Sequence, residues 1–353
     1  MAWGEFVKKL AIFGLLCLVI PVNIDKTNTK EERLLFEAYI KKYNKHYKNN
    51  TEEYHTRLRH FRNALENIDK LNSQHGKGDH AMYGLNEFSD LSPEEFSKRH
   101  LRKVSAEKIR SHSHTRRKPS ADETTSKPLL KLPAGILPDK VDWRTKGVVT
   151  PVRNQKLCGA CWAFCTIETM ESMLAIKNGT LLSLSVQEVI DCAGYGNQGC
   201  NGGDICSLAQ WLKDNKIKVT KEKIYPLTLQ DGTCKIQKAV SGVQVSDYSC
   251  SSLVRNEDEM RRLLAFHGPL AVAVNALTWQ FYVGGVVQFH CSGDPFELNH
   301  AVQIVGYDMT APTPHYIVRN SWGPAWGDKG YVKIAIGDNV CGIANDVISL
   351  DVT

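Results

Sequence analysis

The chain has 353 residues, 42% of them apolar, a formal net charge of +6 and eleven cysteines. That apolar content excludes a disordered chain, and the length supports more than one hydrophobic core. The cysteine count argues against a reducing cytosol and for an oxidising lumen. An apolar run from Leu10 to Ile20 follows Lys8 and Lys9. It is too short to span a bilayer and reads as the core of a signal peptide over residues 1–24, with a signal anchor as the alternative.

From Glu31 to Tyr47 a helix is expected, with Leu35, Tyr39, Ile40, Tyr43 and Tyr47 along one face. Glu53, Arg57, Phe61, Ile68 and Asn72 then line one stripe of a longer helix, a pattern that fits packing. Ser92 and Pro93 have the residue types of an N-cap and a first helical position. From Leu101 to Leu132 the chain turns basic, Ser/Pro-bearing and aperiodic, which reads as a linker and a cleavage target. Residues 26–135 hold 23 basic and 15 acidic side chains, net +8, whereas residues 136–353 hold 19 and 21, net −2. The basic excess therefore sits in one segment without an aromatic platform, and nucleic acid is not an expected partner. Charge attraction between the two parts would weaken as carboxylates titrate towards pH 4, and hydrophobic docking alone is the competing account.

The chemistry is concentrated in Gln155 to Phe164, QKLCGACWAF, with Asn299-His300-Ala301 and Asn320-Ser321-Trp322-Gly323 further on. His300 lies 139 residues after Cys161, and Asn320 lies 159 after it. A thiol nucleophile, an imidazole base and an amide able to orient that base are thus present in order. A free thiol has a pKa near 8.5, and an imidazolium or a helix N-terminus lowers it. The residues after Cys161 lack Gly and Pro over Trp162 to Met170, so a helix could begin at the nucleophile. Gln155 and the Cys161 backbone N–H could form an oxyanion hole. The C-x-x-C pair could also be half a zinc site or a redox motif, but no second pair follows at finger spacing. His300 precedes the apolar Val302 to Tyr307 and so falls at a strand edge.

These blocks resemble the papain-family cysteine proteases over nearly the whole chain after the first two dozen residues. Leu137 to Arg144 looks like that family's mature N-terminus, and Cys200-Asn201-Gly202-Gly203 and Gly327 to Tyr331 match further blocks. Residues 53, 57, 61, 68 and 72 follow the interspersed ERFNIN motif of cathepsin L-like propeptides, with Ala64 in place of its first Asn. Gly84 to Asp90 matches the G-x-N-x-F-x-D strand and turn. Details at 184–187, 279–282, 290–292 and 317–320 are closest to one branch of the cathepsins. The resemblance implies an α+β, two-lobe papain-like fold, with a helical lobe and an antiparallel β-barrel-like lobe. Residues 25–136 would be a helical inhibitory propeptide of the I29 kind, and 137–353 the mature peptidase, with chain crossings at Val141–Val152 and Ala271–Asn275. It also implies disulfides Cys158–Cys200, Cys192–Cys234 and Cys291–Cys341, leaving Cys161 reactive, Cys165 a small buried thiol, and Cys206 with Cys250 undecided.

By the same resemblance Cys161, His300, Asn320 and Gln155 are catalytic, and Trp322 covers the Asn320–His300 hydrogen bond and lines the cleft with Asn299. The second subsite would be lined by Asp204, Ile205, Ala273, Leu298, Ala301 and Asp346, with Gly203 offering backbone hydrogen bonds. Asp204 and Asp346 raise the question whether basic side chains enter that pocket; Asp346 facing solvent is the alternative. The expected function is a lysosomal or secreted endopeptidase made as a proenzyme, without metal or organic cofactor. Its expected partners are protein and peptide substrates, its own propeptide and cystatin-type inhibitors; a monomer without stable membrane insertion is expected. Asn49 and Asn178 are N-glycosylation acceptors. A catalytically silent papain-fold binding protein is the first alternative and a Cys-His-Asn acyltransferase such as a transglutaminase the second.

Overall fold

The structure, a computed structural model, describes residues 29–73, 80–101, 135–236 and 241–353. The expected signal peptide and most of the basic linker lie outside the described residues. The chain opens with two helices, α1 (Thr29–Lys42) and α2 (Thr51–Ser73), then a short strand β1 (Met82–Tyr83) and helix α3 (Pro93–His100). Glu31 and Glu32 begin α1, and Lys41 and Lys42 end it, which complements the helix dipole at both ends. The helix therefore stops before Tyr47, not at it. Tyr43 and Tyr47 still reach the same small core, Tyr47 stacking on Phe36 at 6.2 Å from the loop that follows. Period alone could not separate a helical face from a loop folded back onto it.

Helix α2 buries Arg57, Leu58, Phe61 and Ala64. Asn72 at its end hydrogen-bonds both backbone groups of Tyr83, donating to the carbonyl at 2.8 Å and accepting from the N–H at 3.1 Å. Helix α3 begins with a capping box: Ser92 accepts from the Glu95 N–H while Glu95 accepts from the Ser92 N–H, with Pro93 inside the first turn. Leu101, expected as the first linker residue, is instead buried in the core beside Phe96.

After residue 135 come β2 (Lys140–Asp142), α4 (Cys161–Asn178), α5 (Val186–Cys192), α6 (Ile205–Asp214), β3 (Lys218–Val219), β4 (Val243–Ser251), α7 (Glu257–Phe266) and β5 (Leu270–Val274). The chain closes with β6 (Tyr282–Gly284), β7 (Val286–Val287), β8 (His300–Asp308), β9 (His315–Arg319), β10 (Tyr331–Ala335) and β11 (Val347–Val352). The main sheet runs β3-β4-β11-β5-β8-β9-β10-β7, with β2 added to β8. Its pairs are antiparallel, as expected for this lobe, with β7 and β10 adding one parallel pair at the edge.

Two large cores meet at this sheet. Leu270, Val272 and Val274 of β5 face one core, while Ala271 and Ala273 face the other, as a strand's alternation requires. Residues 271–275, expected as a crossing between lobes, are thus mostly a central strand serving both. The alanines, with Ala301, give α4 room to lie against the sheet. Helix α4 is buried from Cys161 to Ala175 and belongs to the second core. Its interior hydroxyls are satisfied within the helix, for example Thr166 donating to the Trp162 carbonyl at 2.8 Å.

Candidate active site

Cys161 is the first residue of α4, and Ala160 at the N-cap position offers no side-chain hydrogen bond. No acidic side chain stands in that first turn either. The positive end of an 18-residue helix is therefore directed at the thiol without a capping oxygen in competition. Preceding residues are pinned by the Cys158–Cys200 disulfide and by the Gly159 N–H donating to the Cys200 carbonyl at 2.8 Å. A Cβ on Gly159 would lie 2.7 Å from that carbonyl oxygen, so no larger residue allows this approach.

His300 starts β8, and Asn320 directly follows β9. Adjacent strands bring them together: His300 Nε2 lies 2.7 Å from Asn320 Oδ1, and both residues are buried. The Trp322 indole stacks on the imidazole at 4.8 Å between centroids and 29° between planes. Trp279 meets the ring edge-on at 6.1 Å. The hydrogen bond is thus roofed by apolar surface, which strengthens it by excluding water.

Gln155 enters this arrangement through Ser321. The Ser321 hydroxyl donates to Gln155 Oε1 at 2.6 Å, and the Ser321 N–H donates to Asn320 Oδ1 at 2.8 Å. With its oxygen so engaged, the Gln155 amide turns its NH2 to the Cys158 carbonyl at 3.1 Å and the His100 carbonyl at 3.3 Å. A backbone carbonyl of α3 therefore rests on the amide that faces the nucleophile's loop. Around it, Phe88 and Phe96 meet Trp322 edge-on at 5.7 and 5.3 Å. The segment is anchored further along: β1 pairs with β6, the Asn86 amide donates to the Gln280 carbonyl at 2.7 Å, and the Gln280 amide donates to the Phe88 and Leu91 carbonyls.

Beside the nucleophile, Gly203 lies against Trp162, and a Cβ there would meet the indole and Asn197 Oδ1 at 2.5 Å. Ile205, Ala273, Leu298 and Ala301 are buried together in the core of α4. Asp204 is committed elsewhere: it is the N-cap of α6, and Oδ1 accepts from the Ser207 N–H at 2.9 Å. Asp346 is half-buried, and its carbonyl accepts from the Ala273 N–H at 3.2 Å. Asn299 accepts from the Ala276 N–H at 2.9 Å. The cysteines form Cys158–Cys200, Cys192–Cys234, Cys291–Cys341 and a fourth bridge, Cys206–Cys250, while Cys161 and Cys165 remain thiols.

Behind the site lies a buried ionic cluster that sequence reading passed over. Arg319, immediately before Asn320, pairs with Glu168 of α4 at 3.0 Å. It also donates to Thr150 Oγ1, to the Pro151 carbonyl and to Gln303 of β8. Glu171 accepts from Arg153, from Thr150 at 2.6 Å and from the Leu184 N–H at 2.7 Å. Burial raises the Glu168 carboxyl to about 7, against the opposing pull of Arg319. Two acidic residues seven and ten positions beyond a candidate nucleophile, on a helix with no other charge before Lys177, were the available signal.

A buried thiol at a helix start, an amide-oriented imidazole on a facing strand, and a helical segment laid across them define an autoinhibited cysteine peptidase. Residues 137–350 match the model of the papain family cysteine protease, and residues 36–96 that of the cathepsin propeptide inhibitor domain (I29). The chain belongs to the papain family. Among its relatives, Cathepsin O of Homo sapiens is 44% identical over 82% of this chain and 86% of the human protein. Cathepsin O of Mus musculus is 41% identical over 82% of this chain and 88% of its own length. Of solved structures, a recombinant stem bromelain precursor superposes with a TM-score of 0.76 at 31% identity, covering 91% of this chain and 99% of that one.

Proposed function

We propose that this protein is the zymogen of an endopeptidase in which Cys161 is the nucleophile, His300 the acid and base, Asn320 the residue that orients His300, and Gln155 an oxyanion donor. With Asn320 on Nε2, proton exchange with the thiol falls to Nδ1. The Cys161 thiolate attacks the scissile carbonyl carbon, and the oxyanion is held by the Cys161 N–H and the Gln155 amide. Collapse expels the amine, which takes the proton from His300 and leaves a thioester. Water then gives its proton to His300 and its oxygen to the acyl carbon, releasing the acid and restoring the thiol.

The observation that carries this reading is the His100 carbonyl on the Gln155 amide. A peptide carbonyl already occupies the donor that a substrate carbonyl would need, and the segment bearing it blocks the cleft. Removal of residues 25–136, the basic linker included, would open the site, and a signal peptide, Asn49 and Asn178 glycans and cystatin-type inhibitors fit a monomer in the lysosome or outside the cell. The second subsite favours aliphatic side chains, since Ile205, Ala273, Leu298 and Ala301 are apolar and Asp204 serves as a cap. The test is acid treatment of the secreted chain, followed by N-terminal sequencing, epoxide titration of the thiol and hydrolysis of a peptide-library mixture. A new N-terminus near Leu137 with stoichiometric labelling is expected. Cys161→Ser should abolish both labelling and hydrolysis, and residual turnover in that variant rejects the assignment.

A further inference from the structure

The seal over Trp322 contains a histidine where only apolar packing is called for. His100 ends α3, is 6% exposed, and has its ring 4.5 Å from Phe88, 5.4 Å from Phe96 and 6.3 Å from Trp322. Its Nδ1 is buried without a hydrogen-bond partner among the described residues. The same residue presents the carbonyl that occupies Gln155. We propose that His100 is a proton-operated latch: as a neutral ring it completes the seal of the zymogen, and on taking a proton it leaves, withdrawing its carbonyl from Gln155. This deepens the zymogen reading above and rests on it.

Burial and the nearest cations oppose a charge on this ring. On its own helix stands Arg99, and from the loop after α1 comes Lys45, both positive. On the turn behind Phe88, Asp90 is already engaged by Lys45, Tyr39 and Tyr47, and Glu87 is itself pushed up by burial. Across Trp322 lies the His300 imidazole. Burial, reinforced by Arg99 and Lys45 and only partly offset by a backbone contact with Lys156, lowers the docked ring to about 4. Released, it returns to an ordinary value near 6.5. The sign follows: below pH ~6.5 the released segment binds a proton that the docked one refuses, so docking weakens as pH falls and stops weakening near 4. Between pH 7 and pH 5 this one ring weakens docking about 20-fold.

The test is epoxide labelling of Cys161 in the intact full-length zymogen from pH 4 to pH 7.5. Wild type should label about 20-fold faster at pH 5 than at pH 7 through this ring, and His100→Phe, which keeps the aromatic packing without a proton site, should lose that acceleration. Equal pH 5 to pH 7 ratios in the two proteins overturn the latch. Should the variant not fold, ring proton resonances of His100 in the Cys161→Ser zymogen decide: a midpoint well below 6 supports the latch, and an ordinary one rejects it. Failure of the underlying reading looks different, since a zymogen stripped by an added protease would then show no reactive thiol at any pH.

Discussion

Gln155 shows how one side chain's chemistry depends on its neighbour's. An amide can present oxygen or nitrogen to the cleft, and the Cys158 and His100 carbonyls, which can only accept, settle which, leaving Oε1 to the Ser321 hydroxyl. Gln155→Ala keeps the fold, because the residue 155 N–H still donates to the Ser321 carbonyl at 2.8 Å, and removes the side-chain donor proposed for the oxyanion. The matured variant should lose about 10²–10³-fold in kcat with little change in KM on a peptide substrate. A loss in KM alone would place Gln155 outside the oxyanion hole. Asp204 carries the opposite expectation. Asp204→Ala should lower stability by about 1 kcal/mol, as loss of an N-cap does, and leave acceptance of arginine in the second subsite unchanged. Thermal denaturation and a positional peptide library read the two outcomes.

The four residues proposed for catalysis, Cys161, His300, Asn320 and Gln155, stand out in the sequence because the proposed chemistry restricts both residue type and order. Ser321 stood in the same motif, yet its role was not legible, since a hydroxyl announces no partner until strands β8 and β9 are aligned. His100 was hidden for a similar reason: nothing in a helix C-terminal residue tells that it will be pressed against Trp322 from a distant part of the chain.

Among elements, α4 does most to unite the molecule, and it does so through charges that local sequence does not pair. Arg319 links β9, α4, β8 and the segment at Thr150–Pro151, so it fixes how the strand bearing His300 sits against the helix bearing Cys161. Arg319→Met would take the guanidinium from Glu168, forcing that buried carboxyl to take up a proton, and would leave Thr150, Pro151 and Gln303 without their buried donor. About 3–5 kcal/mol of stability should be lost in urea unfolding at pH 7.5, because breaking one half of a buried pair costs more than the pair contributes. Glu168 also gives that stability a direction in pH. Its folded value, raised to about 7, exceeds the ordinary carboxylate value, so the folded state keeps a proton that the unfolded chain releases. Stability is therefore fullest below about 4.5 and declines until pH passes ~7. Glu168→Gln should flatten that decline when unfolding midpoints are compared from pH 4.5 to pH 8. Short-range signals served well where one helix supplied both partners, as in the Ser92–Glu95 capping box. They failed at Tyr47 and at β5, whose places depend on segments remote in sequence.

At the scale of the whole molecule, the division of charge between a basic segment and a slightly acidic remainder suggested an electrostatic hold. The contacts described above point to a different one. Lys45–Asp90, Arg57–Glu95 and Arg62–Glu32 stay within the pro-segment and set its own fold. Among the described residues, what joins it to the peptidase is backbone pairing of β1 with β6, the Asn86 amide on the Gln280 carbonyl with the Gln280 amide on the Phe88 and Leu91 carbonyls, and Tyr83, Phe88, Phe96 and Leu101 sharing one continuous core with Trp279 and Trp322. Such contacts are desolvated and lie beyond the reach of mobile ions, whereas exposed charges are screened over ~10 Å at 0.1 M salt. Meanwhile the mature part keeps its own clasp in acid: although burial opposes it, hydrogen bonds from Lys140 and Thr310 hold the Asp308 carboxyl far below the usual range, so β2 remains bound to β8 at pH 4–5. Acid should then loosen the pro-segment while the peptidase stays folded. Processing of the full chain at pH 7 should remain slow and change less than about twofold between 0.05 and 0.5 M salt, and lowering the pH to 4.5 should accelerate it at both. Rapid release at pH 7 on adding salt alone would show that long-range charge attraction, not the aromatic seal, keeps the zymogen closed.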